Sequence, residues 1–135
     1  MEDHVGFLIR LANQRHASIF ASRIVGSLTP TQFAALNKLH DIGNCSQNEL
    51  GRLAAMDAPT IKGVVERLYA RNLVQIVVDP NDKRRRSITL TVQGRHLVEQ
   101  CREVATQISK EILHPLKPKE RVEFLRMLRM IGRGG

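Results

Sequence analysis

Four consecutive cations, Lys83-Arg84-Arg85-Arg86, preceded by Asp82, are the residues of this chain best suited to do chemistry. Guanidinium and ammonium groups in a row supply positive charge and hydrogen-bond donors, which is the chemistry of phosphate recognition. The arm before them, Val74-Gln-Ile-Val-Val78, is apolar and β-branched. The arm after them, Ser87-Ile-Thr-Leu-Thr91, alternates polar and apolar with period two. That pattern predicts a β-hairpin carrying the cations at its tip. Such a tip suits the narrow, strongly negative minor groove of DNA, where Arg side chains insert favourably. Alone, the same cations also suit a solvated turn that keeps an edge strand from aggregating.

The residues upstream favour the nucleic-acid reading. Over 59–71, Ile61, Val64, Val65 and Leu68 recur at three- and four-residue steps, leaving Thr60, Lys62, Gly63, Glu66, Arg67 and Arg71 on the opposite face. A recognition helix needs this division, one face for its own domain and one for bases. Lys62 can donate to guanine O6 and N7, and Thr60 can meet a base or a thymine methyl. Arg67 and Arg71 lie further along and suit phosphate. Gly63 carries no side chain, so a backbone can approach there. At the start of the preceding helix, Ser46 is needed as a cap, which leaves Gln47 as the phosphate contact.

The elements that must position these groups follow from periodicity. Residues 4 to about 26 read as one helix, with Val5, Leu8, Ile9, Ala12, Ile19, Phe20 and Val25 at helical spacing. Thr29-Pro30-Thr31-Gln32 is a capping box with Pro at the first helical position, and Ser46-Gln-Asn-Glu49 reads as a second box. Met56-Asp57-Ala58-Pro59 reads as a tight turn, and Asn72 as a left-handed helix stop. Thr91 can cap a long helix through Leu97, Val98, Cys101, Val104, Ile108 and Ile112; Pro115 and Pro118 then punctuate a last helix. The expected fold is mainly α with a small β-hairpin: a winged helix-turn-helix between long terminal helices.

With 135 residues, 42% hydrophobic and 25% charged, the chain fits one domain with a packed core. A formal net charge of +8 favours a polyanionic partner. Apolar runs are too short to cross a bilayer, and Met1-Glu-Asp-His lacks the cationic start of a leader, so a cytoplasmic protein is expected. Cys45, read in a turn, and Cys101, read in a helix, lack metal-ligand spacing and are expected as thiols. Neither a phosphate loop nor a HExxH or GxSxG motif occurs, and the five His are scattered. No catalysis, metal or cofactor is therefore expected. Without Trp and with few other aromatics, the chain also lacks a base-stacking platform for single strands. A purely structural dimer module would leave the four cations without a purpose.

The run Asp82-Lys-Arg84-Arg85-Arg86-Ser-Ile-Thr-Leu90-Thr91-Val-Gln-Gly94 resembles the wing signature of the MarR family of bacterial transcriptional regulators: an Asp, an Arg two residues on, Leu-Thr, and a Gly three residues after the Thr. The segment Leu53…Thr60-Ile61…Val64-Val65-Glu66-Arg67-Leu68…Leu73-Val74 is similar to the family's recognition-helix segment. Asn72 stands where the family usually has Gly, and Gly63 where many members have a polar or basic side chain. The resemblance implies one such domain over 1–135, with dimerisation helices at 4–28 and 92–133 around a DNA-binding lobe at 29–91. By it, Arg84 enters the minor groove, Asp82 holds Arg84, and Lys83, Arg85 and Arg86 lie against the phosphate backbone. It further implies a homodimer on double-stranded DNA, reading an inverted-repeat operator, with repression as the outcome. Independently, the terminal helices carry more apolar positions than one small lobe can cover.

Many members of the family bind small aromatic acids between the dimerisation helices and the DNA-binding lobe, and release DNA on doing so. Arg10, Asn13, Arg15 and His16, with Phe20 and Phe33, are the ligand-binding candidates, a cation or imidazole for the carboxylate and a phenyl ring for the aromatic plane. Val5-Gly-Phe-Leu-Ile-Arg-Leu-Ala-Asn-Gln-Arg-His16 with Leu28-Thr-Pro-Thr-Gln-Phe33 is similar to the subgroup that represses nicotinate degradation, which implies a hydroxynicotinate as effector. A ligand-independent or redox-responsive regulator is the alternative.

Overall fold

A computed structural model describes residues 4–134; Met1, Glu2 and Asp3, on which the leader reading rested, lie outside them, as does Gly135. The element order is α1 (Val5–Arg23), α2 (Pro30–Ile42), β1 (Asn44–Cys45), α3 (Gln47–Leu53), α4 (Ala58–Ala70), β2 (Val74–Asp79), β3 (Asp82–Leu90), α5 (Val92–Leu113) and α6 (Pro118–Arg133).

Local chemistry sets most boundaries. At the start of α2, the Thr29 side chain accepts from the Gln32 N–H at 3.2 Å, and Gln32 Oε1 accepts from the Thr29 N–H at 3.1 Å. Replacing Thr29 by Ala is expected to cost about 1 kcal/mol, read as a lower denaturation midpoint; an unshifted midpoint would mean that Pro30 alone fixes the helix start. The second box forms only in half. Ser46 Oγ accepts from the Glu49 N–H, while the Glu49 carboxylate turns to Arg52. Helix α1 stops at Arg23, short of the expected residue 26. Gly26 and Ser27 then adopt positive φ.

Between α3 and α4 the chain turns through Ala55 at φ 57°, with the Met56 N–H bonded back to the Gly51 carbonyl at 2.8 Å. This six-to-one bond places the turn earlier than the sequence suggested: Ala58 and Pro59, read as part of it, already belong to α4. Gly51 permits it, because a Cβ there would lie 2.9 Å from Ile61 Cγ2. Asp57 caps α4, accepting from the Thr60 N–H at 2.8 Å. Asn72 ends the same helix at φ 59°, the left-handed stop expected of it.

The sheet has three strands in the order β1-β3-β2, where a two-stranded hairpin was expected. The added strand is short. Asn44 pairs with Thr89 and Cys45 with Ile88, so Cys45 lies in a strand and not in a turn. Ala35, Leu36, Leu39, Leu50, Ile61, Leu68, Val74 and Val98 form a closed core beneath this sheet. Phe20 and Ile108 are also buried but stand apart from that core, beside α1 and the second half of α5. Helix α6 buries none of its residues, and Val5, Leu8, Ile9 and Leu11 of α1 are exposed. Among the described residues, no helix is long and apolar enough to cross a membrane.

Candidate nucleic-acid interface and adjoining cavity

The face division of α4 follows its sequence spacing. Ile61, Val64, Val65 and Leu68 are buried, while Thr60, Lys62, Glu66 and Arg67 are exposed. Gly63 is half-buried, and a Cβ there would meet Arg67 Nη1 at 3.2 Å. The missing side chain thus lets the Arg67 guanidinium fold back along the helix. Arg71 is already engaged, donating through Nη2 to the Gly26 carbonyl at 2.5 Å and tying the end of α4 to the loop after α1. Gln47 is half-buried at the first position of α3. Thr60 has a second duty. Its side chain and its N–H hold the Asp57 carboxyl below the usual carboxylate range.

The four cations do not occupy the hairpin tip. The turn is Pro80-Asn81, and β3 begins at Asp82, so Lys83 to Arg86 lie along the strand. Pairing runs regularly from Val74↔Leu90 to Val78↔Arg86 and then jumps to Asp79↔Asp82. Lys83, Arg84 and Arg85 therefore have no partner on β2. They form a bulge, which bends a strand and re-aims its side chains. Asp82 organises it: Oδ1 accepts from the Arg84 N–H at 3.0 Å and lies 3.5 Å from Arg84 Nε. The Arg84 side chain is nonetheless 93% exposed. Arg84, Arg85, Arg86 and Ser87 border an open cavity of about 380 Å³ whose other side is Ser46 at the start of α3. Lys62, Arg67, Lys83, Arg85 and Arg86 form no salt bridge among the described residues, whereas Arg23, Arg52, Arg102 and Arg126 each have an acidic partner. Unpaired cations in one lobe are available to a polyanion.

Between α1, the start of α2 and α5 lies a second cavity of about 190 Å³. His16, Phe20 and Phe33 line it, three of the residues expected to bind a ligand. Ring centroids are 5.9 Å apart for His16–Phe20 and 6.1 Å for Phe20–Phe33, so three rings share one wall. The α5 wall, with Ala105, Ile108, Ser109 and Ile112, was not anticipated; its apolar members had been assigned to packing alone. Asn13 faces a neighbouring apolar groove between α1 and α6. Arg15 is committed elsewhere, donating to the Ile112 and Glu111 carbonyls at 2.6 and 2.8 Å and so capping the end of α5. Arg10 is exposed and lines neither space.

Polar bridges that sequence patterning did not indicate join α2 to α5. Arg102 Nε donates to Asn37 Oδ1 at 2.6 Å, Arg102 also pairs with Asp41, and His40 Nε2 lies 3.2 Å from Glu99 Oε2. Helix α2 thus carries Phe33 into the cavity near one end and leads into β1, paired to the wing, at the other. Burial pushes both thiols up, helped at Cys45 by the charge of Glu49. Fewer thiolates leave a redox-responsive role with less chemical support. Among the described residues, no three His, Cys, Asp or Glu are grouped to hold a metal ion.

Comparison with known proteins agrees with this geometry. A family model described as MarR family matches residues 28–85. The chain is 43% identical over 128 residues to the HTH-type transcriptional repressor NicR of Pseudomonas putida, covering 94% of this chain and 81% of that protein. A probable transcriptional regulator from Pseudomonas aeruginosa superposes with TM-score 0.92 at 47% identity, over 96% of this chain and 98% of the other. BpsR of Bordetella bronchiseptica, whose DNA binding is regulated by 6-hydroxynicotinic acid, superposes with TM-score 0.91 at 41% identity, over 98% and 95%.

Proposed function

Because the chain belongs to the MarR family, we propose that it is a cytoplasmic, non-catalytic transcriptional repressor that leaves an inverted-repeat operator when a small aromatic acid binds. One observation carries the DNA half of this reading: on the exposed face of α4 and the bulged strand β3, Lys62, Arg67, Lys83, Arg85 and Arg86 have no acidic partner among the described residues, and Arg84 has only the Asp82 of its own bulge. Thr60, Lys62 and the approach at Gly63 meet base edges, Gln47 and Arg67 meet phosphate, and Arg84 enters the minor groove under the hold of Asp82. Lys83, Arg85 and Arg86 follow the backbone, and Arg71 joins them only by leaving the Gly26 carbonyl.

A second copy of the chain completes the molecule. Residues 4–28 and 92–133 form the dimerisation region and 29–91 the DNA-binding lobe within one domain spanning 1–135. The exposed apolar residues of α1 and α6, among them Val5, Leu8, Ile9, Leu128 and Ile131, line a groove of about 450 Å³ that a partner's helices would cover. Two lobes then meet half-sites about one helical turn apart.

The effector is a single-ring aromatic acid of the hydroxynicotinate kind, held in the cavity by His16, Phe20 and Phe33. At about 190 Å³ the cavity is smaller than the roughly 300–1,000 Å³ typical of sites for drug-sized ligands, which suits one ring. A ligand wedged against Phe33 moves the start of α2. The helix transmits that displacement through Gly43 and β1, where Thr89 Oγ1 donates to the Gly43 carbonyl at 3.0 Å, to the wing.

Selection from a randomised duplex pool at about 0.15 M salt is expected to enrich an inverted repeat with half-sites about 10 bp apart. Adding 6-hydroxynicotinate should then release the protein from the recovered site. Weak binding with no enriched sequence would sink the specific-regulator reading, and enrichment without release would sink the effector.

A further inference from the structure

We infer that Ser109 is the residue by which the cavity distinguishes a ring-hydroxylated aromatic acid from its unsubstituted parent, an assignment that rests on the effector reading above. Of the side chains around the cavity, only His16 and Ser109 carry polar groups; the rest are Phe, Pro, Ala and Ile. The two sit on different helices, α1 and α5. A flat ring lying against the Phe20 and Phe33 wall is thus offered one hydrogen-bonding group from each helix.

The state of the Ser109 hydroxyl is the second observation. A serine inside a helix commonly turns its hydroxyl back onto a carbonyl of the preceding turn. Ser22 in α1 does so, donating to the Ile19 carbonyl at 2.8 Å. Ser109 lies well inside α5, and none of the hydrogen bonds among the described residues engages its hydroxyl. Ser109 is exposed at the rim of the cavity, so its hydroxyl has no protein partner and is free both to donate and to accept.

The imidazole suits the ligand's carboxylate. It packs tilted against Phe20, 48° between the ring planes, and, unlike Arg15, is not committed to a helix end. That leaves Ser109 for a second polar substituent on the ring, whether a hydroxyl or the carbonyl of its pyridone tautomer. An acid lacking that substituent leaves the exposed hydroxyl to water and forgoes the bond, which is the source of discrimination.

The test is calorimetric titration of the full-length protein with 6-hydroxynicotinate and with nicotinate. Wild type should prefer the hydroxylated acid. In Ser109→Ala the preference should shrink by about 3- to 10-fold, with nicotinate affinity retained; Ser109→Thr, which keeps the hydroxyl, should restore most of it. If Ser109→Ala weakens both acids equally, or leaves their ratio unchanged, Ser109 does not read the substituent and the inference is overturned. If wild type binds neither acid, the effector reading itself fails and the inference goes with it.

Discussion

Replacing Arg84 and Arg86 together by alanine is expected to weaken operator binding by roughly two orders of magnitude at physiological salt, and to reduce the slope of log affinity against log salt by about two. Arg84 is 93% exposed, so its removal leaves no hole in the fold, and the loss should appear in DNA binding with the thermal midpoint nearly unchanged. The two arginines are not equivalent. Arg86 is in register with Val78 on a regular ladder, whereas Arg84 lies inside the bulge and is braced by Asp82. Arg84→Ala alone should therefore alter sequence preference, because a narrow minor groove is itself a sequence-dependent shape. Arg86→Ala alone should weaken all duplexes alike. Fluorescence anisotropy with the recovered operator and with a scrambled duplex across a salt series separates these effects. Wild-type affinity and slope in the double variant would remove the wing from the interface.

The brace predicts a further asymmetry between those single changes. Asp82 bears a negative charge close to a site proposed for phosphate, and Coulomb repulsion alone would make its loss favourable. Its carboxylate also accepts the Arg84 N–H and lies beside the guanidinium, and both contacts fix the bulge that orients the arginine. Orientation outweighs repulsion where the pair is exposed, since screening in high dielectric leaves the charge term small. This is why an acidic residue belongs inside a cationic strand.

How much of this could be read from the sequence depends on the range of the forces involved. Thr29, Pro30, Thr91 and the spacing of Ile61, Val64, Val65 and Leu68 act within one or two helical turns, and the structure follows them closely. The cations were located in sequence but misplaced in space. The bulge depends on how β3 pairs with β2, and a strand pattern does not reveal its own register. β1 was missed for a similar reason: two residues carry no periodicity, and only the presence of β3 alongside makes Asn44-Cys45 a strand. The cavity shows the same limit from the other side. His16, Phe20 and Phe33 drew notice as polar or aromatic residues on short segments, whereas Ser109 lies some ninety residues from His16 in sequence, a distance that no local pattern bridges. Arg10, Asn13 and Arg15 have the chemistry expected of ligand contacts, but helix phase and the end of α5 direct them elsewhere.

Gly94→Ala should be the most damaging single methyl in the chain, destabilising it by about 3 kcal/mol or more out of a typical total of about 5–15 kcal/mol. Gly94 lies in the first turn of α5, directly against the junction where α4 gives way to β2. A Cβ there would lie 2.0 Å from the Leu73 carbonyl oxygen and 2.9 Å from its carbon, contacts with backbone that no rotamer change relieves. The junction cannot easily retreat. The Leu73 N–H is bonded to the Leu68 carbonyl, its carbonyl accepts the Thr91 N–H at 3.1 Å, and Thr91 Oγ1 donates to the Asn72 carbonyl at 2.7 Å. Thr91 also caps α5 by accepting from the Gly94 N–H at 2.9 Å. The Leu90-Thr91-Val92-Gln93-Gly94 part of the wing signature is thus architectural. It fastens the recognition helix, the wing and α5 at one point, so that α5 and the wing move together. Gly132→Ala supplies the contrast: a Cβ there meets nothing of its own chain within 4 Å, and within one chain the better helix propensity of Ala should leave stability unchanged or raise it by up to about 1 kcal/mol. Chemical denaturation of the two variants beside wild type decides the matter. Equal midpoints would mean that the α4–β2 junction yields to a methyl group, and that the close approach at Gly94 is not what requires glycine there.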